Sequence, residues 1–133
     1  MRRLALLLAL MAGQAAAEVP DRLTGFWLVE TLPPGFDAAL TERINLRIMR
    51  DGQLTGSGGC NRLTGHVSAP GEGRISFQVG TTLMACPGPI MRVEQAFMAA
   101  LRDARSYDSA GDILTLRDAA GEPVAQLHHF FPD

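Results

Sequence analysis

Apolar and polar residues alternate most regularly between residues 43 and 50. One side of this alternation is aliphatic and consists of Ile44, Leu46 and Ile48. A period of two is typical of a strand with one buried face. The dipeptide Asp51-Gly52 follows immediately and favours a tight hairpin turn, because both residue types tolerate positive φ. We therefore expect residues 53–57 to pair antiparallel with this strand.

Several other short segments are rich in β-branched and aromatic residues and are bounded by glycine, proline or aspartate turns. We predict strands at residues 24–31, 64–68, 74–79, 106–108, 113–116 and 124–127. Residues 36–42 are ambiguous and are compatible with a helical turn at residues 38–40. Trp27 and Phe26 fall on opposite faces of the first strand, so one of them is expected to serve the core.

The hydrophobic period changes between Pro89 and Ala104, where apolar residues recur at spacings of three and four. The apolar positions are Ile90, Val93, Phe97, Ala100, Leu101 and Ala104. Pro89 fits the first turn of a helix, because its missing N–H has no intrahelical partner there. This pattern predicts one amphipathic helix over residues 89–104. The methionines near it, Met84, Met91 and Met98, are interpreted as core filler.

These elements together predict a mainly β fold with one helix, in the α+β class. We expect an antiparallel curled sheet or partial β-barrel of about seven to eight strands, capped by a single α-helix. Ile75, Phe77 and Val79 are predicted to form the inward face of one strand. No internal repeat or linker interrupts the chain, so one domain is expected.

Composition agrees with a single folded domain, since 47% of the 133 residues are apolar and 20% are charged. All 12 basic residues are arginine, which excludes mechanisms that need a lysine, such as a Walker A phosphate loop or a Schiff base. The formal net charge is -2, and the pI is about 5.9. This balance gives no electrostatic reason to expect nucleic acid as a partner.

Residues 1–17 have the pattern of a secretory signal peptide: a cationic start, an apolar run over residues 4–12 and small residues at 15–17. The run is too short for a spanning helix, which needs about 20 apolar residues. We expect cleavage after Ala17 and a soluble, periplasmic or secreted domain over residues 18–133. An uncleaved N-terminal anchor is the alternative. After cleavage, no stable membrane insertion is expected, and a monomer is expected.

Cys60 and Cys86 are the two cysteines of the chain. In an oxidising compartment an even count favours a disulfide. Such a bridge would contribute about 3 to 4 kcal/mol on the chain-entropy model. Two free structural thiols, or a catalytic thiolate served by His66 or the His128-His129 pair, are the alternatives.

No other constellation in the sequence predicts catalysis, a metal or a cofactor. The run Gly56-Ser57-Gly58-Gly59 lacks the lysine of a phosphate loop and favours a bulge or a close backbone approach. His128 and His129 are adjacent, so on a strand they would face opposite sides and would not share one metal. Arg62 and Arg92 favour surface ion pairs over an anion site. We therefore expect no enzyme activity, no metal and no cofactor.

The middle of the chain resembles the META domain family, to which the HslJ heat-shock proteins belong. The resemblance covers about residues 23–127. The residues that carry it are Gly59, Cys60, Asn61, Arg62, Gly65, Thr82, Met84, Ala85, Cys86, Pro87 and Glu94. It implies a compact antiparallel β-domain with one helix, a place in the cell envelope, an association with heat or envelope stress, and no established enzymatic activity. Leu83 departs from the family pattern, in which arginine is more usual.

The resulting functional expectation is a non-catalytic periplasmic protein that supports stress tolerance by binding an unknown envelope protein or small ligand. One alternative is a carrier for a small apolar ligand, which would need an enclosed pocket between Ile75, Phe77, Val79 and Phe97. Another is a secreted inhibitor or interaction module that acts through the loop at residues 60–62.

Overall fold

A computed structural model describes residues 18–131 of the chain. The helices are α1 (Ala38–Thr41) and α2 (Gly88–Asp103), with a 3-10 turn at Asp21–Leu23. The strands are β1 (Gly25–Thr31), β2 (Ile44–Ile48), β3 (Gln53–Gly58), β4 (Arg62–Ser68), β5 (Ser76–Thr81), β6 (Ser106–Ala110), β7 (Ile113–Arg117) and β8 (Pro123–Phe130). The mainly β prediction is confirmed, with one main helix and the short α1 in addition. The predicted signal peptide lies outside the described residues.

All eight strands form one antiparallel sheet in the order β5-β4-β3-β2-β1-β8-β7-β6. Most neighbouring strands are consecutive in the chain and pair as hairpins. The β1–β8 pair joins the two halves of the sheet. The sheet curls until its two ends meet at one point, an isolated bridge between Arg74 and Ser106. Next to it, the Ile75 N–H donates to the Arg105 carbonyl at 3.1 Å. The result is a half-barrel rather than a closed barrel.

The hydrophobic core lies between the concave face of the sheet and α2. Ile44, Leu46 and Ile48 are all buried, which confirms the face predicted from the alternation. Helix α2 contributes a buried stripe that includes Val93 and Phe97. Trp27 of β1 is also buried, and its indole N–H donates to the Leu23 carbonyl at 3.0 Å.

The strand β5 begins and ends two residues later than predicted. This strand begins at Ser76, and the preceding Ile75 is buried with its N–H bonded across the bridge to Arg105. Phe77 and Val79 are only half-buried, because β5 is the last strand of the sheet and one of its edges has no neighbouring strand. The inward face predicted at these positions is therefore an edge face that is partly open to solvent.

The methionines are only partly core filler. Met98 packs against the edge of the core, whereas Met84 is 57% exposed and Met91 is half-buried. Met84 belongs to the segment between β5 and α2, which has neither a helical nor a strand period. Nothing in a local pattern assigns such a side chain to the core or to the surface, so the core interpretation of Met84 is wrong.

Candidate functional site

A disulfide joins the segment after β3 to the segment before α2. Cys60 and Cys86 are bonded, with their Cα atoms 6.0 Å apart. The predicted disulfide is confirmed, and neither cysteine is free. The alternative of a catalytic thiolate therefore has no free thiol to act as the nucleophile.

The carboxylate of Glu94 is the centre of a buried polar network beside this disulfide. Its Oε2 accepts the Cys60 N–H at 2.9 Å and the Asn61 N–H at 2.6 Å. Its Oε1 accepts a hydrogen bond from Asn61 Nδ2 at 2.6 Å. Glu94 is only 4% exposed, and it comes from the apolar stripe of α2, directly after Val93. The β3–β4 turn thus binds a carboxylate supplied by the protein itself.

The side chain of Asn61 extends the network to the segment that follows β5. Its Oδ1 accepts the Met84 N–H at 2.6 Å and the Thr82 hydroxyl at 2.9 Å. Its Nδ2 also donates to the Met84 carbonyl at 3.2 Å. A buried amide that uses both ends in this way fixes the backbone on either side of it. One asparagine therefore ties together the β3–β4 turn, the β5–α2 segment and α2.

Two glycines of the pattern are required by close approach. A Cβ on Gly58 would lie 2.7 Å from Glu94 Cγ, and a Cβ on Gly65 would lie 2.0 Å from the Gln78 carbonyl oxygen. No larger residue fits either position without displacing its neighbour. Within the glycine-rich run, Gly58 therefore serves a close approach, as expected, and the anion beside this turn is the Glu94 carboxylate.

The structure brings most of the family-pattern residues together but gives them different exposures. The network and its disulfide include Cys60, Asn61, Thr82, Cys86 and Glu94. Gly59 forms the turn beside them, and Gly65 lies within β4. The side chains that the network leaves exposed are those of Arg62, Met84, Ala85 and Pro87. The burial of Glu94 could have been predicted from the sequence, since this residue lies three residues before Phe97 on the apolar side of the helix.

A groove lies on the surface next to this network, between β5 and α2. Its larger part has a volume of about 500 Å³ and a smaller part, which shares Met98 and Arg102 with it, about 330 Å³. We call this surface the β5–α2 groove. Its lining includes Thr81, Thr82, Leu83, Met84, Met91, Met98, Arg102, Phe77 and Val79. Leu83 at its mouth is 96% exposed.

The polar rim of this region is basic. Arg102 lines both parts of the groove, and Arg62 lines an adjoining depression of about 370 Å³ with Thr82 and Met84. The carboxylate that lines the groove is Glu94, which is buried and hydrogen-bonded within the network. Asp103 lies 3.6 Å from Arg102, in an exposed pair of the kind that contributes little.

A second apolar patch lies on the outer face of β1 and β8, and three strands of the sheet separate β1 from β5. Phe26 and Phe130 are cross-strand partners with ring centroids 5.8 Å apart in an edge-to-face arrangement. With Phe131, which is 65% exposed, and Arg47 they line an open depression of about 540 Å³. The sequence interpretation missed this patch because β8 was predicted to end at residue 127.

The four side chains predicted to surround an enclosed pocket are divided between two environments. Ile75 and Phe97 are in the core, at 2% and 0% exposure. Phe77 and Val79 line the smaller, open part of the β5–α2 groove. This region therefore offers an open surface and not the enclosed cavity that the carrier hypothesis requires.

His128 and His129 lie on opposite faces of β8, and His66 lies on β4. His129 packs edge-on against Trp27, with ring centroids 4.8 Å apart, whereas His128 Nδ1 lies 3.5 Å from Glu30 on the other face. Within residues 18–131, no three His, Cys, Asp or Glu side chains are grouped so that they could hold a metal ion. Over the same residues, no helix combines the length and the apolar character needed to cross a membrane.

Comparisons with known proteins agree with the architecture. The model of the META domain matches residues 21–129. A comparison with curated proteins found no match. Among solved structures, a DUF4847 family protein from Bacteroides vulgatus is 19% identical, with a TM-score of 0.66, covering 83% of this chain and 95% of that one. A protein from Burkholderia xenovorans is 22% identical, with a TM-score of 0.61, covering 81% and 83%. At these identities the likeness is one of fold.

Proposed function

Since this chain belongs to the META domain family, we propose that it is a non-catalytic, exported protein that works by binding, and that the β5–α2 groove is its binding surface. The role we propose for that binding is tolerance of heat or envelope stress. The observation that carries the proposal is the exposure of Leu83 at the mouth of a methionine-lined groove. Large apolar side chains at a polar rim mark interaction sites.

The exposed side chains are presented by a segment that is held in place from below. Both backbone groups of Met84 are bonded to the Asn61 side chain, and Cys86 is fixed by the disulfide. A segment that is already ordered loses little conformational entropy on binding. The thioether side chains of Met91 and Met98 can adapt to partners of different shape. This combination supports a recognition surface.

The absence of catalysis is part of the proposal and rests on how the reactive groups are used. The two cysteines are bonded to each other, and the Ser57 hydroxyl accepts the Gly59 N–H at 3.1 Å. The Glu94 carboxylate accepts three hydrogen bonds within the protein. Each of these groups has a structural partner in place of a substrate. Export is supported by the signal-like residues 1–17 and by the disulfide, which persists in oxidising compartments.

The proposal is tested by complementation of a strain from which the gene has been deleted. We expect the deletion to reduce survival under heat, oxidant or envelope-active drugs, and the wild-type gene to restore it. A Leu83→Ser, Met84→Ser double variant should be exported and folded but should not restore survival. Ala119→Ser with Ala120→Ser makes two exposed apolar-to-serine changes in the β7–β8 turn, outside the groove and the phenylalanine patch, and serves as the matched control. Unchanged survival of the deletion strain, or full rescue by the double variant, would contradict the proposal.

For the alternative function of a small apolar-ligand carrier, we propose that the binding site is the patch formed by Phe26, Phe130 and Phe131. Arg47, the cross-strand partner of Phe26, lies beside these rings, and this pairing favours an anionic amphiphile. Titration with dodecanoate should then broaden or shift the NMR signals of these rings, and Arg47→Gln should weaken the effect.

In the hypothesis of a secreted inhibitor, Arg62 is the residue of the loop at residues 60–62 that would contact the target, because Asn61 of the same loop is buried in the network.

A further inference from the structure

We propose that the open edge of β5 binds an extended segment of another polypeptide as an added strand, whose side chains enter the β5–α2 groove. This inference rests on the proposed function, because it names the class of partner for the same surface. The ligand would be a stretch of about five to six residues with alternating apolar side chains and at least one acidic residue.

The hydrogen-bond pattern shows which backbone groups of β5 are open. The Thr82 N–H donates to the Arg62 carbonyl at 3.2 Å, in register with the β4–β5 ladder. In an antiparallel pair, alternate residues direct both backbone groups to the neighbouring strand. Gly80 and Gln78 lie two and four residues before Thr82, so their N–H and C=O groups also face β4. The N–H and C=O groups of Phe77, Val79 and Thr81 consequently point away from it, and no residue of 18–131 forms a backbone hydrogen bond with them.

Unpaired donors and acceptors in this spacing match another extended backbone. Strand addition to an exposed edge supplies main-chain hydrogen bonds for affinity and uses alternate side chains for specificity. A bound helix satisfies its own backbone groups and would leave this edge unpaired. The backbone of β5 therefore selects an extended occupant.

The sequence of the edge strand also lacks the features that normally prevent pairing. Natural edge strands are blunted by charged side chains, proline or bulges. The six residues Ser76–Thr81 include neither a charged residue nor a proline, and their pairing with β4 has no register shift. Only the start of this edge is closed, where Ile75 bonds to Arg105.

The groove supplies positions for side chains of the added strand. Met98 and Arg102 of α2 form its wall opposite Phe77 and Val79. An added strand rises about 3.3 to 3.4 Å per residue, so successive inward side chains are about 7 Å apart. These would pass from the smaller part of the groove into the larger part below Leu83. The guanidinium group of Arg102, which lines both parts of the groove, favours a carboxylate on the ligand.

The same charges argue against a second copy of this chain as the occupant. A symmetric β5–β5 pair would use the same patch on both copies, as every isologous interface does. Each copy would then bring its own Arg102 to the shared edge, in a groove whose lining carboxylate, Glu94, is already bonded internally. A polypeptide that carries its own acidic residue avoids this repulsion.

Selection from a phage-displayed library of random octapeptides tests the proposal, with wild type, Val79→Pro and Val79→Thr as baits. The Val79 N–H faces away from β4, so proline removes an edge donor and leaves the β4 ladder intact. Threonine keeps that donor at nearly the same side-chain volume and is the matched control. We expect wild type and Val79→Thr to enrich peptides with alternating apolar residues and an acidic residue, and Val79→Pro to bind a synthetic copy at least about tenfold more weakly.

The other outcomes separate this inference from the proposed function. If Val79→Pro enriches the same peptides as wild type but Leu83→Ser with Met84→Ser does not, strand addition is overturned and the groove remains the binding surface. No enrichment by wild type overturns strand addition, while the complementation assay still tests the function. If wild type forms a dimer and Val79→Pro dissociates it, the occupant of the edge is a second copy of this chain, and the proposal of a different polypeptide is overturned. If Val79→Pro does not fold, a peptide N-methylated at alternate residues takes its place: lost binding supports strand addition, and unchanged affinity overturns it.

Discussion

The two sides of the segment between β5 and α2 have opposite properties. On the inner side, Asn61 is 3% exposed and uses its amide to hold Met84 and Thr82. On the outer side, Leu83 is 96% exposed and Met84 is 57% exposed. The comparison shows that most residues of the family pattern belong to the buried network and its disulfide, and that the proposed binding surface lies immediately beside them.

The energetic consequences of the two sides differ accordingly. A buried carboxylate that accepts three hydrogen bonds is costly to disturb, because its donors lose their partner and stay buried. An exposed leucine makes few contacts within its own chain, and its removal changes the folded state little. Substitutions on the inner side should therefore lower stability, and those on the outer side should lower binding alone.

The largest effect should come from the disulfide that anchors the inner side. Replacing both Cys60 and Cys86 by serine should lower the free energy of unfolding by about 3 to 4 kcal/mol. Without the bond, the unfolded chain regains the conformational entropy that the closed loop removes. Urea denaturation without reductant measures the change, and reduced wild type is the control. A loss below about 1 kcal/mol would show that the network holds the segment without the bond.

The Glu94→Gln variant should lower the free energy of unfolding by about 2 to 3 kcal/mol. The amide loses the charge, and in either orientation its NH2 faces a donor, either the N–H groups of Cys60 and Asn61 or the side-chain Nδ2 of Asn61. Glu72 is an exposed glutamate in the β4–β5 turn, so Glu72→Gln is the matched control and should change little. If the two variants were equally stable in urea, Glu94 would not be the centre of the network.

A methyl group at Gly58 should have a smaller effect, about 1 to 2 kcal/mol, because it must displace the Glu94 side chain. Gly71→Ala is the matched control, since the Cβ there would lie 3.5 Å from Arg74 Cδ, an ordinary contact. Thermal unfolding of both variants measures the difference. If Gly58→Ala were as stable as Gly71→Ala, the close packing of α2 on this turn would not be needed.

The smallest effect on stability should follow substitution of Leu83. We expect Leu83→Ser to change the free energy of unfolding by less than about 0.5 kcal/mol. The same substitution should weaken any partner that uses the groove, as measured with the enriched peptides. A strongly destabilised Leu83→Ser would mean that this side chain serves the fold, and the distinction between the two sides would fail.

Much of the fold was accessible from the sequence because its signals are local. The alternation at residues 43–50, the Asp51-Gly52 turn and the helical period of α2 each depend on neighbours in the chain. The β1–β8 pair and the closing bridge between Arg74 and Ser106 are long-range contacts, which no local period encodes. The curled sheet was predicted from the number of short strands and the single helix, but the order of the strands was not.

The candidate site divides in the same way. The disulfide followed from the cysteine count and the expected compartment, and the burial of Glu94 could be read from its helical position. The exposure of Leu83 and Met84 could not, because residues 82–87 follow no period and their orientation is set by Asn61, more than 20 residues earlier in the chain. The open edge of β5 depends on which strand is last in the sheet, a property of the whole topology.

Amide hydrogen exchange along β5, measured with and without an enriched octapeptide, tests the central claim most directly. In the free protein we expect the amides of Cys60 and Asn61, bonded to Glu94, and those of Gln78 and Gly80, bonded to β4, to exchange slowly. The amides of Phe77, Val79 and Thr81 should exchange fast and should become protected when the peptide binds. Protection of these three amides in the free protein, or binding of the peptide without any change in their exchange, would contradict an open edge as the recognition surface.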